Sequence, residues 1–216
     1  MVICKDEEHA RAIIKDYKPG QVDIYVDASV RNGRAGVGVY ATPSKVMLSK
    51  TVASSDQADA HLTELLAISE AANWPWDPTC MAVDQAGFPI PASSIRIFSD
   101  SQSALLSVQS WRAGACQEVV AEILKKLWLN NVTLYWIPGH SGFVGNEKAD
   151  KLAKAATRLE SKEPPQRDGL LWYLVTRALK RAEITTGPFL AGRSNTGKFI
   201  RKINIVLYLR KAAGLY

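Results

Sequence analysis

The chain has 216 residues, of which 47% are apolar, so it can bury a sizeable core and is not disordered as a whole. Residues 1–150 carry a net charge of −4 and residues 151–216 a net charge of +10. A basic tail on an acidic body favours a polyanionic partner. No stretch approaches the ~20 apolar residues of a membrane span, and no secretory signal is visible. We therefore expect an intracellular protein without a membrane partner, in the nucleus or the cytoplasm.

The predicted elements begin with a short helical stretch at residues 9–17, which a Pro-Gly pair ends. Three segments rich in β-branched residues follow, at residues 22–27, 35–42 and 45–53, and we predict a strand for each. Because the turns between them are short, these strands should be antiparallel neighbours in a three-stranded meander.

The second half of the chain alternates between helical and strand patterns, which favours parallel pairing of its strands. The predicted helices are at residues 59–73, 101–109, 116–129 and 146–159, and the predicted strands are at residues 95–99 and 132–137. The expected fold class is α/β, with a mixed five-stranded sheet flanked by helices. Its strands 1, 2 and 3 form the antiparallel meander, and strands 4 and 5 are parallel.

Three regions are predicted along the chain. Residues 1–20 form an N-terminal flank, and residues 21–160 form the α/β domain. Residues 161–216 form a basic C-terminal appendage that begins after a Pro-Pro pair and that we expect to be incomplete. Residues 74–93 are predicted to be a long irregular connection, since they contain four prolines.

Four carboxylates stand at positions that favour convergence. Asp27 ends one predicted strand and Asp100 directly follows another, and strand ends of an α/β sheet meet at the crevice where ligands bind. Glu64 lies in a helix with small residues on the same face, so this helix can lie close to the sheet. Asp150 is predicted in the first turn of a helix capped by Asn146, where the helix dipole favours an ionised carboxylate.

Converging carboxylates need cations, because each close pair costs on the order of 4 kcal/mol at an effective dielectric constant of ~20. A ligand set made only of oxygen indicates Mg²⁺ or Mn²⁺. Two such ions can activate water and stabilise the leaving oxygen in phosphodiester hydrolysis. His140 lies in a glycine-rich loop ten residues before Asp150, which places a candidate proton carrier beside this cluster.

Four segments of the chain resemble the motif blocks of the ribonuclease H family, in the family's order and with similar spacing. They are IYVDAS at residues 24–29, LTELLA at 62–67, IFSDSQ at 97–102 and WIPGHSGFVGNEKAD at 136–150. The resemblance covers residues 22–159, about two-thirds of the chain.

The resemblance implies an endonuclease that cuts the RNA strand of an RNA–DNA hybrid with two Mg²⁺ ions, which Mn²⁺ can replace. It implies that His140 assists proton transfer and product release. The implied metal ligands are Asp27, Glu64, Asp100 and Asp150, and the implied hybrid contacts are Ala28, Ser29, Gln102 and Asn146.

The chain is most similar in type to the domain attached to reverse transcriptases of fungal non-LTR retrotransposons. The connection between Ser101 and Val132, which leads from the fourth to the fifth predicted strand, lacks a basic protrusion, and the tail at residues 196–202 resembles the segment after the nuclease in those polyproteins. The expected partners are therefore an RNA–DNA hybrid and a reverse transcriptase domain of the same polyprotein, and we expect a monomer.

Two departures keep alternatives open. Ala28 stands where the family usually has glycine, and Ala60 and His61 stand where Asn or Gln is frequent, so contacts with the hybrid could be weakened. The alternative function is a catalytically impaired hybrid-binding module or a decayed retroelement fragment. A third interpretation, DNA strand transfer on the same sheet, conflicts with the Gly-His-Ser-Gly loop.

Overall fold

The structure is a computed structural model that describes residues 2–3, 6–73, 81–110, 116–129 and 131–158. All of these residues lie in the first of two compact units, Met1–Leu170. The predicted basic appendage at residues 161–216 lies outside the described residues, so its boundaries remain predictions. Within the described part of the chain, no helix is long and apolar enough to cross a membrane.

Eight strands and five helices form the described part of the chain. The strands are β1 Val2–Ile3, β2 Gln21–Arg31, β3 Arg34–Thr42, β4 Met47–Ser54, β5 Met81–Val83, β6 Pro89–Pro91, β7 Ser94–Ser99 and β8 Val132–Trp136. The helices are α1 Glu7–Lys15, α2 Ala60–Asn73, α3 Gln102–Ser110, α4 Gln117–Leu129 and α5 Val144–Ala156.

The main sheet has the order β1-β8-β7-β2-β3-β4. Strands β2, β3 and β4 form the predicted antiparallel meander, while β7 is parallel to β2 and β8 is parallel to β7. The predicted mixed five-stranded sheet is confirmed. The short strand β1 adds a sixth strand at the β8 edge, where it runs parallel to β8. This edge was not predicted, because two residues are too few to show a strand pattern.

Strand β2 is the centre of the fold. Its residues 22–27 are all buried, which means that both faces of the strand are covered. Helices α2 and α5 both pack against β2 and β3. A strand covered on both sides reads as a continuous apolar run, and the two aspartates within β2 therefore need specific partners.

Helix α5 lies very close to β3 because two glycines of that strand face it. A Cβ atom at Gly38 would overlap the carbonyl oxygen of Ala149, and one at Gly36 would lie 2.7 Å from the Cβ of Ala156. A larger residue at Gly36 or Gly38 would push the helix away from the sheet. This close approach therefore sets the distance between the sheet and the helix that carries Asp150.

Three sequence-based expectations are corrected. The connection at residues 74–93 is not wholly irregular, since β5 and β6 form an antiparallel hairpin within it. Helix α1 spans Glu7–Lys15 instead of residues 9–17, because Asp6 caps it by accepting a hydrogen bond from the His9 amide. Helix α5 begins at Val144 with Phe143 as its N-cap, so the prediction that Asn146 caps it is wrong.

Candidate active site

Two carboxylates come together at the point where the parallel pairing of β2 with β7 ends. In the register of β2 and β7, Val26 pairs with Ser99 as the last pair. Asp27 and Asp100 are the next residues on either side, so they continue past this pair at the same edge of the sheet. Asp27 is only 9% exposed. The predicted meeting of these two carboxylates is found in the structure. The prediction that Asp27 ends its strand is wrong, because β2 continues to Arg31 in its pairing with β3.

Helix α2 delivers the third carboxylate. Asp59 closes the first turn of the helix by accepting a hydrogen bond from the Leu62 amide at 2.9 Å. The small residues Ala67 and Ala71 are fully buried, which allows the helix to lie against the sheet. The carboxylates of Asp27, Glu64 and Asp100 each offer one oxygen, and these oxygens all lie within 4.8 Å of one another.

The electrostatics of this group are unfavourable for three negative charges. Burial, followed by the charge of Asp100, raises the pKa of Asp27 from 3.8 to about 7, although a hydrogen bond from the Ala28 amide opposes the rise. Burial also raises the pKa of Glu64 well above its ordinary value, and the charges of Asp27 and Asp100 add to the effect. The group therefore favours a bound cation or a shared proton.

A buried oxygen of this cluster has no hydrogen-bond partner. Glu64 Oε2 is out of contact with solvent and has no hydrogen-bond partner among the described residues, and the same holds for Asn146 Oδ1. Unsatisfied buried acceptors are rare in folded proteins and need a physical explanation. A divalent cation held by carboxylate oxygens would satisfy Glu64 Oε2 and offset the repulsion among the three carboxylates. The residues present therefore fit a hard divalent metal.

Asp100 is held in place from three sides. The side-chain amide of Asn146 donates a hydrogen bond to Asp100 Oδ2 at 3.1 Å, and the indole of Trp136 donates one to the Asp100 carbonyl at 2.9 Å. Gly139 approaches so closely that a Cβ atom there would lie 2.8 Å from Asp100 Oδ2. These contacts orient the carboxylate toward the cluster. Asn146 is the third residue of α5, and its side chain contacts Asp100 instead of capping the helix.

Asp150 lies near the three carboxylates, but it is not a member of their cluster. Lys154, one helical turn later on α5, donates a hydrogen bond to Asp150 Oδ2 at 2.7 Å. The charge of Asp150 still raises the pKa of Asp27, and that of Lys154 lowers it, so both groups act on the same crevice. Of the four predicted carboxylates, Asp150 is the one with an ion-pair partner in the part of the chain that the structure describes.

His140 is exposed in the segment of residues 137–143 between β8 and α5, which we call the His140 loop. Its backbone has a φ of 55°, in the left-handed region that few residues other than glycine adopt. The loop passes close to the cluster, because a Cβ atom at its Gly139 would lie 2.8 Å from Asp100 Oδ2. The placement of the His140 side chain beside the carboxylates and its role stay predictions.

The four predicted hybrid contacts have different surroundings. Ala28 is half-buried and its amide donates to Asp27 Oδ1 at 2.7 Å, while Ser29 is buried. Gln102 is exposed at the start of α3, and Asn146 is buried against Asp100. The structure thus puts Ala28 and Asn146 beside the carboxylates and Gln102 on the surface. Their contacts with a substrate stay predictions.

Two residues of the site were not found from the sequence. Lys154 follows Asp150 by four residues, the spacing of an ion pair within a helix, and this signal was available. Trp136 was quoted only as the first residue of a motif block, without a role in the site. Its hydrogen bond to the Asp100 carbonyl depends on the pairing of β7 with β8, which no local pattern reveals.

The chain was compared with models of known protein families. The model described as RNase H matches residues 19–158, which is well over half of the chain. The chain belongs to the ribonuclease H family. Ribonucleases H are hydrolases that act on RNA–DNA hybrids and use divalent metals at a cluster of acidic residues, such as the one formed here by Asp27, Glu64 and Asp100. The predicted family, fold and enzyme class are confirmed, whereas the fungal retrotransposon type stays a prediction.

Proposed function

We propose that this ribonuclease H is an endonuclease that hydrolyses the RNA strand of RNA–DNA hybrids with two Mg²⁺ ions, which Mn²⁺ can replace. The observation that carries the proposal is the group of three converging carboxylates, one of which keeps a buried oxygen without a partner. Such a group is unfavourable in the protein alone and becomes favourable around divalent cations.

The proposed ligands are Asp27, Glu64, Asp100 and Asp150. The first three offer oxygens within 4.8 Å of one another, and Asp150 lies outside that group, on helix α5. Bound ions would supply an activated water and stabilisation of the leaving oxygen. The metals would lower the raised pKa of Asp27, because a nearby positive charge favours the ionised carboxylate.

The chain's own residues provide the other requirements of the reaction. Asn146 and Trp136 hold Asp100 in orientation, so little rearrangement is needed when metal binds. His140, exposed beside the cluster, would carry a proton to the leaving oxygen and assist product release. The products would be a 3′-hydroxyl and a 5′-phosphate.

Selection of RNA is proposed to depend on 2′-hydroxyl contacts in the wide minor groove of the hybrid, so that cutting is largely independent of sequence. The proposed contacts are Ala28, Ser29, Gln102 and Asn146. Gln102 is exposed and can reach a substrate directly. Ala28 would contribute its backbone, since its methyl group stands where most relatives have only a hydrogen.

The proposed context is a retroelement polyprotein of the fungal non-LTR type that also contains a reverse transcriptase domain. The supporting observation is in the sequence: the segment that leads from α3 to β8 has no basic protrusion, and the chain continues into a strongly basic tail. A monomeric domain within such a polyprotein would meet the hybrid as it is synthesised.

The testing experiment is cleavage of an RNA–DNA hybrid in which each strand carries a different fluorophore. The full chain is assayed with Mg²⁺, with Mn²⁺ and with EDTA, and double-stranded DNA serves as the substrate control. The matched variant is Asp100→Asn, which keeps the shape of the side chain and removes its charge. We expect cutting of the RNA strand alone, dependent on metal and lost in the variant.

The alternative function, a catalytically impaired hybrid-binding module, predicts a different result. In that case the hybrid binds without being cut in either metal, and Asp100→Asn changes neither binding nor cutting. Restoring glycine with Ala28→Gly then tests whether the methyl group is the cause. Cutting of both strands, or of double-stranded DNA, would contradict the proposed function and the alternative together.

A further inference from the structure

Strand β1 and helix α1 are the two elements of the N-terminal flank, and both lie outside the residues that match the family model. That match begins at residue 19, whereas helix α1 ends at Lys15. The flank nevertheless contacts the strand that leads into the His140 loop and the loop itself. Strand β1 pairs with β8, the strand that leads into the loop, in the register Ile3 with Trp136. Helix α1 contacts the loop itself.

Arg11 is the residue through which α1 reaches the loop. Its guanidinium group donates a hydrogen bond to the Ser141 carbonyl at 2.9 Å. The same group stacks over the ring of Phe143, with its central carbon 5.0 Å from the ring centroid. Ser141 directly follows His140, and Phe143 ends the loop at the N-cap of α5. The Arg11 side chain therefore contacts two residues of the loop, and both of them follow His140 in the chain.

The position of Arg11 is fixed by the packing of the helix that carries it. Ala10 is fully buried in the hydrophobic cluster that also contains Ile137 and Phe143, the first and last residues of the His140 loop. Ile13 packs against this cluster, and its carbonyl accepts a hydrogen bond from buried Arg96 at 2.7 Å. Helix α1 is thus fixed against the core, so its contacts with the loop can restrict the motion of the loop.

The backbone conformation of the loop indicates that it needs such contacts. His140 has a left-handed backbone conformation, and Gly142 has one as well, with a φ of 72°. Non-glycine residues hold this conformation only when their surroundings impose it. A glycine-rich loop without external contacts would sample several conformations, and His140 would spend less time beside the carboxylates.

We propose that the N-terminal flank acts as a brace for the His140 loop and that Arg11 is a positioning residue for His140. The catalytic part of this inference rests on the role proposed for His140 above. The structural part, that Arg11 orders the loop, stands independently of any activity. Arg11 neither touches the carboxylate cluster nor takes part in the chemistry; it acts through Ser141 and Phe143.

The test uses the full chain and the variant Arg11→Gln, which keeps a polar side chain but loses the cation over Phe143 and most of the donors. Hydrogen–deuterium exchange is measured at the amides of residues 139–143. We expect exchange there to become about two- to tenfold faster, the range that follows from the loss of one intramolecular hydrogen bond. Exchange in β2 and β7, which carry Asp27 and Asp100, should not change.

The catalytic readout is a double-mutant cycle with His140→Ala. In the chain with His140, Arg11→Gln should lower kcat by about two- to tenfold with KM unchanged. In the His140→Ala background it should have no further effect, because the residue that it positions is absent. Arg11→Lys, which keeps the charge and a donor, should recover part of the rate. Lys15→Gln removes the same charge from the exposed side of α1 and should change neither readout.

Two results would overturn the brace. Unchanged exchange at residues 139–143 in Arg11→Gln would show that Arg11 does not order the loop. An equal loss of kcat with and without His140 would show that Arg11 acts on stability or substrate instead. If the exchange result is as expected but the wild-type chain cuts no hybrid, the brace stands and the proposed function fails, so the two failures are distinguishable.

Discussion

Two aspartates of strand β2 stand four residues apart, and the groups that surround their side chains carry opposite charges. Asp23 and Asp27 are both buried, and each would be costly as an unpaired charge. Asp23 receives two hydrogen bonds of 2.7 Å from the guanidinium group of Arg96. Asp27 faces two other carboxylates instead. The charge of Asp23 is therefore paired within the protein, whereas the charge of Asp27 is opposed by its neighbours and favours a bound cation or a shared proton.

The difference shows how a structural carboxylate can be told from a functional one. Burial raises the pKa of both aspartates, but Arg96 opposes the rise at Asp23, whereas Asp100 adds to it at Asp27. The burial of a charge is therefore uninformative by itself, and the sign of its nearest neighbour decides the interpretation. The following predictions test this contrast, from the largest expected effect to the smallest.

Asp27→Asn should lower the rate of hybrid cleavage by roughly a thousandfold or more, since losing a ligand should exceed the 10- to 100-fold cost of losing an outer partner. The fold should be retained, because the change removes a repelling charge. Cleavage rate and circular dichroism measure the two effects. Asp23→Asn is the matched control, and its folded fraction should cut at the wild-type rate. Wild-type cleavage by Asp27→Asn would contradict the metal site.

Arg96→Met should lower the free energy of unfolding by about 3–5 kcal/mol, because it leaves Asp23 buried without its cation. Urea unfolding measures this loss. The activity of each folded molecule should be unchanged, in contrast to Asp27→Asn. Replacing both partners, Asp23→Leu with Arg96→Met, should restore most of the stability. A loss of less than about 1 kcal/mol in the single variant would show that the pair is not the anchor described here.

The stability of the metal-free protein should fall as pH rises through the pKa of Asp27. The folded pKa of about 7 lies above the ordinary value of 3.8, so the folded state holds an extra proton between these values. This contribution is full below about pH 4 and is lost above about pH 7, which gives roughly 2–3 kcal/mol between pH 5 and pH 8. Urea unfolding in EDTA at both pH values measures it.

Asp27→Asn is the control for that pH dependence, and its unfolding should lack the part that Asp27 contributes. Added Mg²⁺ should flatten the dependence of the wild type, because metal favours the ionised carboxylate. An identical pH dependence in wild type and variant would mean that Asp27 titrates at its ordinary value. The carboxylate cluster would then not be as closely coupled as the structure describes.

Lys154→Met should tighten the binding of Mn²⁺ by about two- to fivefold, the amount that corresponds to a partly exposed ion pair within a helix. The reason is that Lys154 neutralises Asp150 and competes with metal for its carboxylate. Calorimetric titration of the metal measures the change. Lys151→Met removes the same charge from an exposed position on α5 and should have no effect. Unchanged affinity with a raised KM would indicate that Lys154 contacts the substrate instead.

The convergence of the three carboxylates was largely predictable, because local sequence patterns mark the position of each one. Asp27 and Asp100 follow apolar strand segments, and Glu64 lies on a helix with small neighbours, so local patterns alone brought them toward one crevice. Asn146 illustrates the limit. Because asparagine is a common capping residue and stands near a helix start, we predicted that it caps the helix. Its side chain instead contacts Asp100, which lies 46 residues away in the sequence.

The sequence by itself determined most of the elements, the mixed α/β sheet and the convergence of Asp27, Glu64 and Asp100, because strand and helix periodicities are local properties. The tertiary structure decided which carboxylate has its own cation and which does not. It also decided that β1 and α1, with no motif of their own, close against the His140 loop through Arg11. These outcomes depend on contacts between distant residues, such as Asp23 with Arg96, and no short pattern in the chain specifies them.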